Sequence, residues 1–138
     1  MKLEAIIDYF QSNPRKMFLL DGLGALVTAI SLGVVLTKFN AFFGMPIQVL
    51  HKLALVACVF AVYSLSCHFL LSANWRKFLL LIISANATYC VASAILVGIH
   101  FQKLTTWGIA YFVIEILIII ALIYIEINAL PENEKVQN

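Results

Sequence analysis

The chain has 138 residues, of which 63% are hydrophobic and 12% are charged, and its formal net charge is +2. Soluble domains are about half apolar and about a quarter charged, and a chain this short cannot bury so much apolar surface within itself. These values exclude an ordinary soluble domain and leave lipid as the solvent, and the lack of any basic tract excludes a nucleic-acid partner.

Residues 2–11 open the chain with Leu3, Ile6, Ile7 and Phe10 on one helical face and Lys2, Glu4, Asp8 and Gln11 on the other. That spacing predicts a short helix lying in the membrane interface. Asp8 precedes any long apolar run, and the first such run is too long for the core of a signal peptide, so a cleaved leader is not expected. Asn13-Pro14 then suits the start of a new helix, with Asn as N-cap and Pro in the first turn.

About 20 apolar residues are needed to cross the hydrocarbon core as a helix. Four runs qualify: about 17–37, 53–71, 78–99 and 105–127. None alternates as barrel strands do. The expected fold is all-α, an antiparallel bundle of four transmembrane helices behind a short interfacial helix. Residues 1–130 form one membrane domain, and 131–138 a polar tail. The longest connection runs from Lys38 to Lys52, with Phe39, Phe42 and Phe43 suited to the interface and a turn at Gly44-Met45-Pro46. The other connections, Ser72 to Arg76 and His100 to Leu104, are short and make neighbouring helices antiparallel.

Loop charge sets orientation. Lys2, Arg15, Lys16, Arg76, Lys77 and Lys135 fall on one side, and Lys38, Lys52 and Lys103 on the other. Both termini are therefore expected in the cytoplasm, as for a multi-pass protein of a bacterial inner membrane. Trp75 and Tyr124 then belong to the inner aromatic belt and Trp107 to the outer. Asn13-Pro14-Arg15-Lys16 resembles Asn74-Trp75-Arg76-Lys77, with Leu19-Leu20 and Leu80-Leu81 at the same offset, a pattern that fits ordinary inner-face helix starts as well as a weak internal repeat.

Polar residues inside a span are costly, so each is a candidate for function. Asp21 lies about one turn into the first helix. His68 approaches the same level from the end of the second, so the two are expected within reach of each other or of one shared water, the alternative being that both sit solvated at headgroup level. Glu115 lies near the middle of the fourth helix, among Ile114, Ile116, Leu117, Ile118 and Ile119. A carboxyl there must be neutral or partnered. Asn86, Tyr89 and Thr28 fall at comparable depths and supply hydrogen-bonding groups, so Asp21, His68, Asn86, Tyr89 and Glu115 are the expected ion or polar-cavity residues. Tyr63 and Tyr111 complete the set of polar residues within the spans. Ala54, Ala57, Cys58, Ala61, Ser64 and His68 form a small-residue stripe, and Ala25, Ala29 and Gly33 form another.

His51 and His100 both lie near the outer face, but two imidazoles without a third ligand make a poor metal site. Cys58, Cys67 and Cys90 form no Cys-x-x-Cys pair and read as buried, inert thiols. No phosphate loop, nucleophile motif or cofactor motif is present, so neither catalysis nor a cofactor is expected. In size and hydropathy the chain resembles the small multidrug exporters, in outline only. Their hallmark glutamate sits in the first helix. Here the deep glutamate is in the fourth, and the first carries Asp21, so no function is carried over. Two roles fit the residues: an accessory or scaffold subunit packed into a larger membrane complex, or a small homo-oligomeric transporter or channel coupled to protons or cations.

Overall fold

The computed structural model describes residues 2–70 and 75–130. The polar tail at 131–138, the tip of the second connection at 71–74, and Asn74 of the repeat lie outside the described residues. Six α-helices follow in order: α1 (Leu3–Ser12), α2 (Pro14–Ile30), α3 (Asn40–Phe43), α4 (Ile47–Leu70), α5 (Trp75–Ile99) and α6 (Thr106–Asn128), with no strand among the described residues. A π-helical segment, Ser31–Leu36, continues α2 without a break. Four helices are long and apolar enough to span a membrane: Pro14–Leu36, Ile47–Leu70, Trp75–Ile99 and Thr106–Asn128. The chain is thus a multi-pass all-α membrane bundle.

Burial explains why lipid is required. No more than 33% of any spanning window is buried within the protein, and the figure falls to 17% in α6, the most apolar helix. Leu55, Val62, Ile99 and Ile118 each point outward with more than half their surface uncovered. In water, such a continuous apolar exterior would drive aggregation.

The first and second spans pack most closely. A Cβ on Gly22 would lie 2.8 Å from the Leu65 side chain, and one on Gly33 3.2 Å from the Ala54 methyl. Only glycine lets α2 approach α4 this closely near Leu65. Ala54, Ala57, Ala61 and Ser64 form the facing buried stripe of α4. Cys58 departs from that stripe and faces outward, leaving Cys67 and Cys90 as the buried thiols. On α2 the contact uses Gly22, Ala29 and Gly33, whereas Ala25 turns toward a cavity described below. The third and fourth spans form the second close pair, and α4 and α5 meet more loosely.

Several local expectations change. The second span begins at Ile47, not about Leu53, because Pro46 opens a helix there and its carbonyl accepts from the Val49 and Leu50 amides. His51 therefore lies within α4, one turn from its start, and is exposed. Asn13 does not cap α2 with its side chain. Its Nδ2 turns back to donate to the Tyr9 carbonyl at 3.0 Å and ends α1 instead. α1 buries none of its residues fully, in keeping with an interfacial helix, and it leans on α2 and α6. Gln11 Nε2 donates to the Asn128 carbonyl at 2.8 Å and ties it there.

The end of the bundle away from α1 is stitched by Thr105. Its hydroxyl donates to the Phe42 carbonyl at 2.5 Å and accepts from the Gly108 amide at 3.2 Å, capping α6 while holding α3. Gly44 ends α3 at φ 90°, a left-handed conformation that glycine adopts without strain. Trp107 stacks on Phe42, with ring centroids 5.6 Å apart.

The core divides into two apolar clusters. One, near α1, gathers Met17, Phe18, Cys67, Leu79, Ile82 and Leu130. The other, toward α3, includes Leu32, Leu36, Leu50, Tyr89, Leu104 and Phe112. Between them lies a layer of buried polar groups.

Candidate functional site

That layer begins with Asp21, which is 2% exposed. Its position follows from α2: Pro14 starts the helix, and Asp21 lies two turns further, on the face that meets α4. Ser64 Oγ donates to one carboxyl oxygen at 2.6 Å, and Asn86 Nδ2 donates to the other at 2.8 Å. Three spans thus meet at one carboxylate. The two bonds give both oxygens of the buried carboxyl the partners that the bilayer withholds.

The expected Asp21–His68 pair does not form. Ser64 precedes His68 by one turn of α4 and occupies the level of Asp21. His68 Nδ1 lies 2.8 Å from the Arg15 carbonyl, which only accepts, so that nitrogen carries the proton. Arg15 lies six residues before Asp21, about 9 Å along the helix, which places the imidazole nearer the end of the bundle. Matched depth in the sequence was off by one turn of α4, so Ser64, on the same face, takes the place expected for His68.

A second polar centre lies further into the bundle. Glu115 is 8% exposed, and its Oε1 accepts from the Tyr89 hydroxyl of α5 at 2.5 Å. The Tyr111 hydroxyl approaches the same carboxyl at longer range, with Ser31 beside it. Oε2 has no partner at hydrogen-bonding geometry among the described residues. Phe60 of α4 packs edge-on against the Tyr89 ring, centroids 6.2 Å apart, and fixes the phenol.

Both centres open into one cavity of about 440 Å³. Leu20, Asp21, Gly24, Thr28 and Ser31 form one wall, on the first span. Tyr111, Glu115, Ile118 and Leu122 form the other, on α6. Ala57, Phe60, Asn86 and Tyr89 make the floor. The cavity exists because the first and fourth spans do not pack closely against each other. Each wall covers 11 residues of rise, so the crevice is about 16 Å long. Val27, Ile114 and Ile118 at its rim are more than half exposed, so it opens sideways toward lipid. The first span widens into its π-helical turn at Ser31, where the crevice ends. Such turns concentrate at functional sites.

The remaining sequence candidates lie elsewhere. Tyr63 donates to the Phe78 carbonyl at 3.2 Å. His100 Nδ1 meets the Leu96 carbonyl of its own helix at 3.0 Å, and His51 is exposed. No group of three His, Cys, Asp or Glu side chains able to hold a metal occurs among the described residues.

Glu126 was missed. It lies two residues from the end of α6, where a sequence reading puts a carboxylate among headgroups, yet it is 0% exposed. The signal was its spacing. Eleven residues from Glu115 is three helical turns, so both acids share one face of α6. No protein-family model, curated protein or solved structure matches this chain.

Proposed function

We propose that the protein is a small transporter that takes a lipophilic organic cation from the bilayer into the crevice between α2 and α6. The observation that carries this reading is the cavity itself. It is largely apolar, large enough for a small ligand, and carries a few convergent polar groups, the usual make-up of a ligand site. Glu115 supplies the negative charge, with an oxygen that the fold leaves without a partner. Phe60, Tyr89 and Tyr111 also line the cavity, and aromatic rings favour a cation. Asp21, held by Ser64 and Asn86, forms the second acidic station along the same path.

An accessory role needs an outward small-residue groove for a partner helix. Gly22, Ala29 and Gly33 are instead spent on contacts between the protein's own spans. The loop charges support an orientation with both termini in the cytoplasm of a cell whose inner membrane holds the protein.

The test is equilibrium binding of radiolabelled tetraphenylphosphonium to the full chain in lipid nanodiscs. Wild type should bind it saturably. Glu115→Gln, which keeps the shape and removes the charge, should weaken binding about tenfold or more, equivalent to about 1.4 kcal/mol. Absence of saturable binding, or equal affinity in the variant, contradicts the reading and favours the accessory role.

A further inference from the structure

Glu126 takes no part in the reading above, and its surroundings are unusual. It is fully buried, and neither carboxyl oxygen meets a donor at hydrogen-bonding geometry among the described residues. Its polar neighbours are the carboxyl of Asp21 and the amide of Asn86. Asp21 is already an acceptor at both oxygens, from Ser64 and from Asn86. Two carboxyls in contact at so buried a place cannot both be ionised, because like charges repel strongly there. They can share a proton, which supplies the missing donor.

A metal ion fits this place poorly. The groups around the pair present an N–H and an O–H, both aimed at carboxyl oxygen. Donors of this kind stabilise one negative charge spread over two carboxyls. They do not ligate a cation. The other charged or titratable groups on the surrounding helices are engaged or distant. His68 of α4 is bound to the Arg15 carbonyl. Arg15 and Lys16 are exposed at the start of α2. Arg76, in the first turn of α5, is engaged in an interaction of its own. Cys67 is buried one turn from Tyr63 and interacts with that phenol. On α6, Glu115 is three turns away and bonded to Tyr89.

We propose that Asp21 and Glu126 form a proton-binding site between α2 and α6, in which one proton is held on Glu126 and donated to the Asp21 carboxylate. Asp21 also lines the crevice. In a second step, which rests on the function proposed above, a cation entering the crevice takes the Asp21 carboxylate as its counter-ion. Glu126 then releases its proton to water, leaving the total charge of the occupied site unchanged.

Infrared spectroscopy of the full chain in nanodiscs tests the site without any ligand. A protonated carboxyl has a C=O stretch above the amide band, and isotopic labelling assigns it. With ¹³C-labelled glutamate, wild type at neutral pH should show a shifted carboxylic-acid band that survives in Glu115→Gln and is lost in Glu126→Gln. Asp21→Asn should keep that band at a changed frequency, since the acid then faces an amide. If Glu126→Gln does not fold, the labelled Glu115→Gln protein alone decides, because no other buried glutamate remains among the described residues. Absence of a labelled acid band in Glu115→Gln overturns the proposal, and so does a band unchanged by Glu126→Gln. The second step is read with a pH dye in weak buffer. Tetraphenylphosphonium should release about one proton per site from wild type and none from Glu126→Gln. Binding without release overturns the coupling and leaves the binding reading intact. An acid band without any binding leaves the proton site intact and removes the transport reading.

Discussion

Removing the Tyr89 hydroxyl gives a sharp test of the inner polar centre. Tyr89→Phe keeps the ring that Phe60 packs against and deletes one oxygen, the donor to Glu115 at 2.5 Å. Hydrogen bonds between membrane helices are worth about 0.6 kcal/mol on average and about 1.7 at most. Leaving a buried acceptor unpartnered costs about 1–3 kcal/mol. Because Tyr89 is 5% and Glu115 8% exposed, little relief from solvent is available, and the expected loss is about 1–2 kcal/mol. Glu115→Leu removes the acid and should cost less, since it also removes the burden of burying it. In the double variant the carboxyl is no longer stranded, so it should be more stable than Tyr89→Phe alone. The assay is reversible unfolding of all four proteins in the same detergent, analysed as a double-mutant cycle. Additivity within about 0.5 kcal/mol, the behaviour of independent sites, would refute the direct bond and the packing that aims it.

Thr105→Ala loses both the α6 cap and the hold on the Phe42 carbonyl. It should cost about 1–2 kcal/mol in the same assay, whereas Thr106→Ala, at an exposed position, should be nearly silent. Single cysteines placed in a background lacking Cys58, Cys67 and Cys90 should report orientation. Asn13 and Trp75 positions should label from the cytoplasmic side, and Phe42 and Gln102 positions from the other, and the reverse pattern would invert the topology.

Much of the architecture was legible because lipid imposes one rule on every residue of a span. Apolar runs of helical length allowed little besides a bundle, and Asp21, Asn86, Tyr89 and Glu115 stood out as the costly exceptions. Which of them meet was less legible. Asp21 and His68 matched in counted depth, but helix ends are uncertain by a residue or two, and each residue turns the side chain by about 100°. Ser64 was read as packing, and it became the hydrogen-bond partner. Glu126 was hidden for the opposite reason. Its place near the helix end suggested water, while Leu130, Ala129 and the α1 helix close over that end of the bundle. Four of the crevice's polar residues stood out in the sequence, but its place between α2 and α6 did not, because it arises from a contact that the first and fourth spans do not make.

Gly24 offers the most direct test of that crevice. It lines the cavity, and a Cβ placed there would meet nothing within 4 Å. Gly24→Leu should therefore fit without strain, and the better helix former should stabilise the first span by up to about 1 kcal/mol. The side chain would occupy the space between Asp21 and Glu115 while leaving both acids in place. Tetraphenylphosphonium binding measured on this variant in nanodiscs should be reduced at least as far as in Glu115→Gln, in a protein as stable as wild type or more so. Wild-type affinity in Gly24→Leu would contradict the account, because the ligand would then bind somewhere other than the space between α2 and α6.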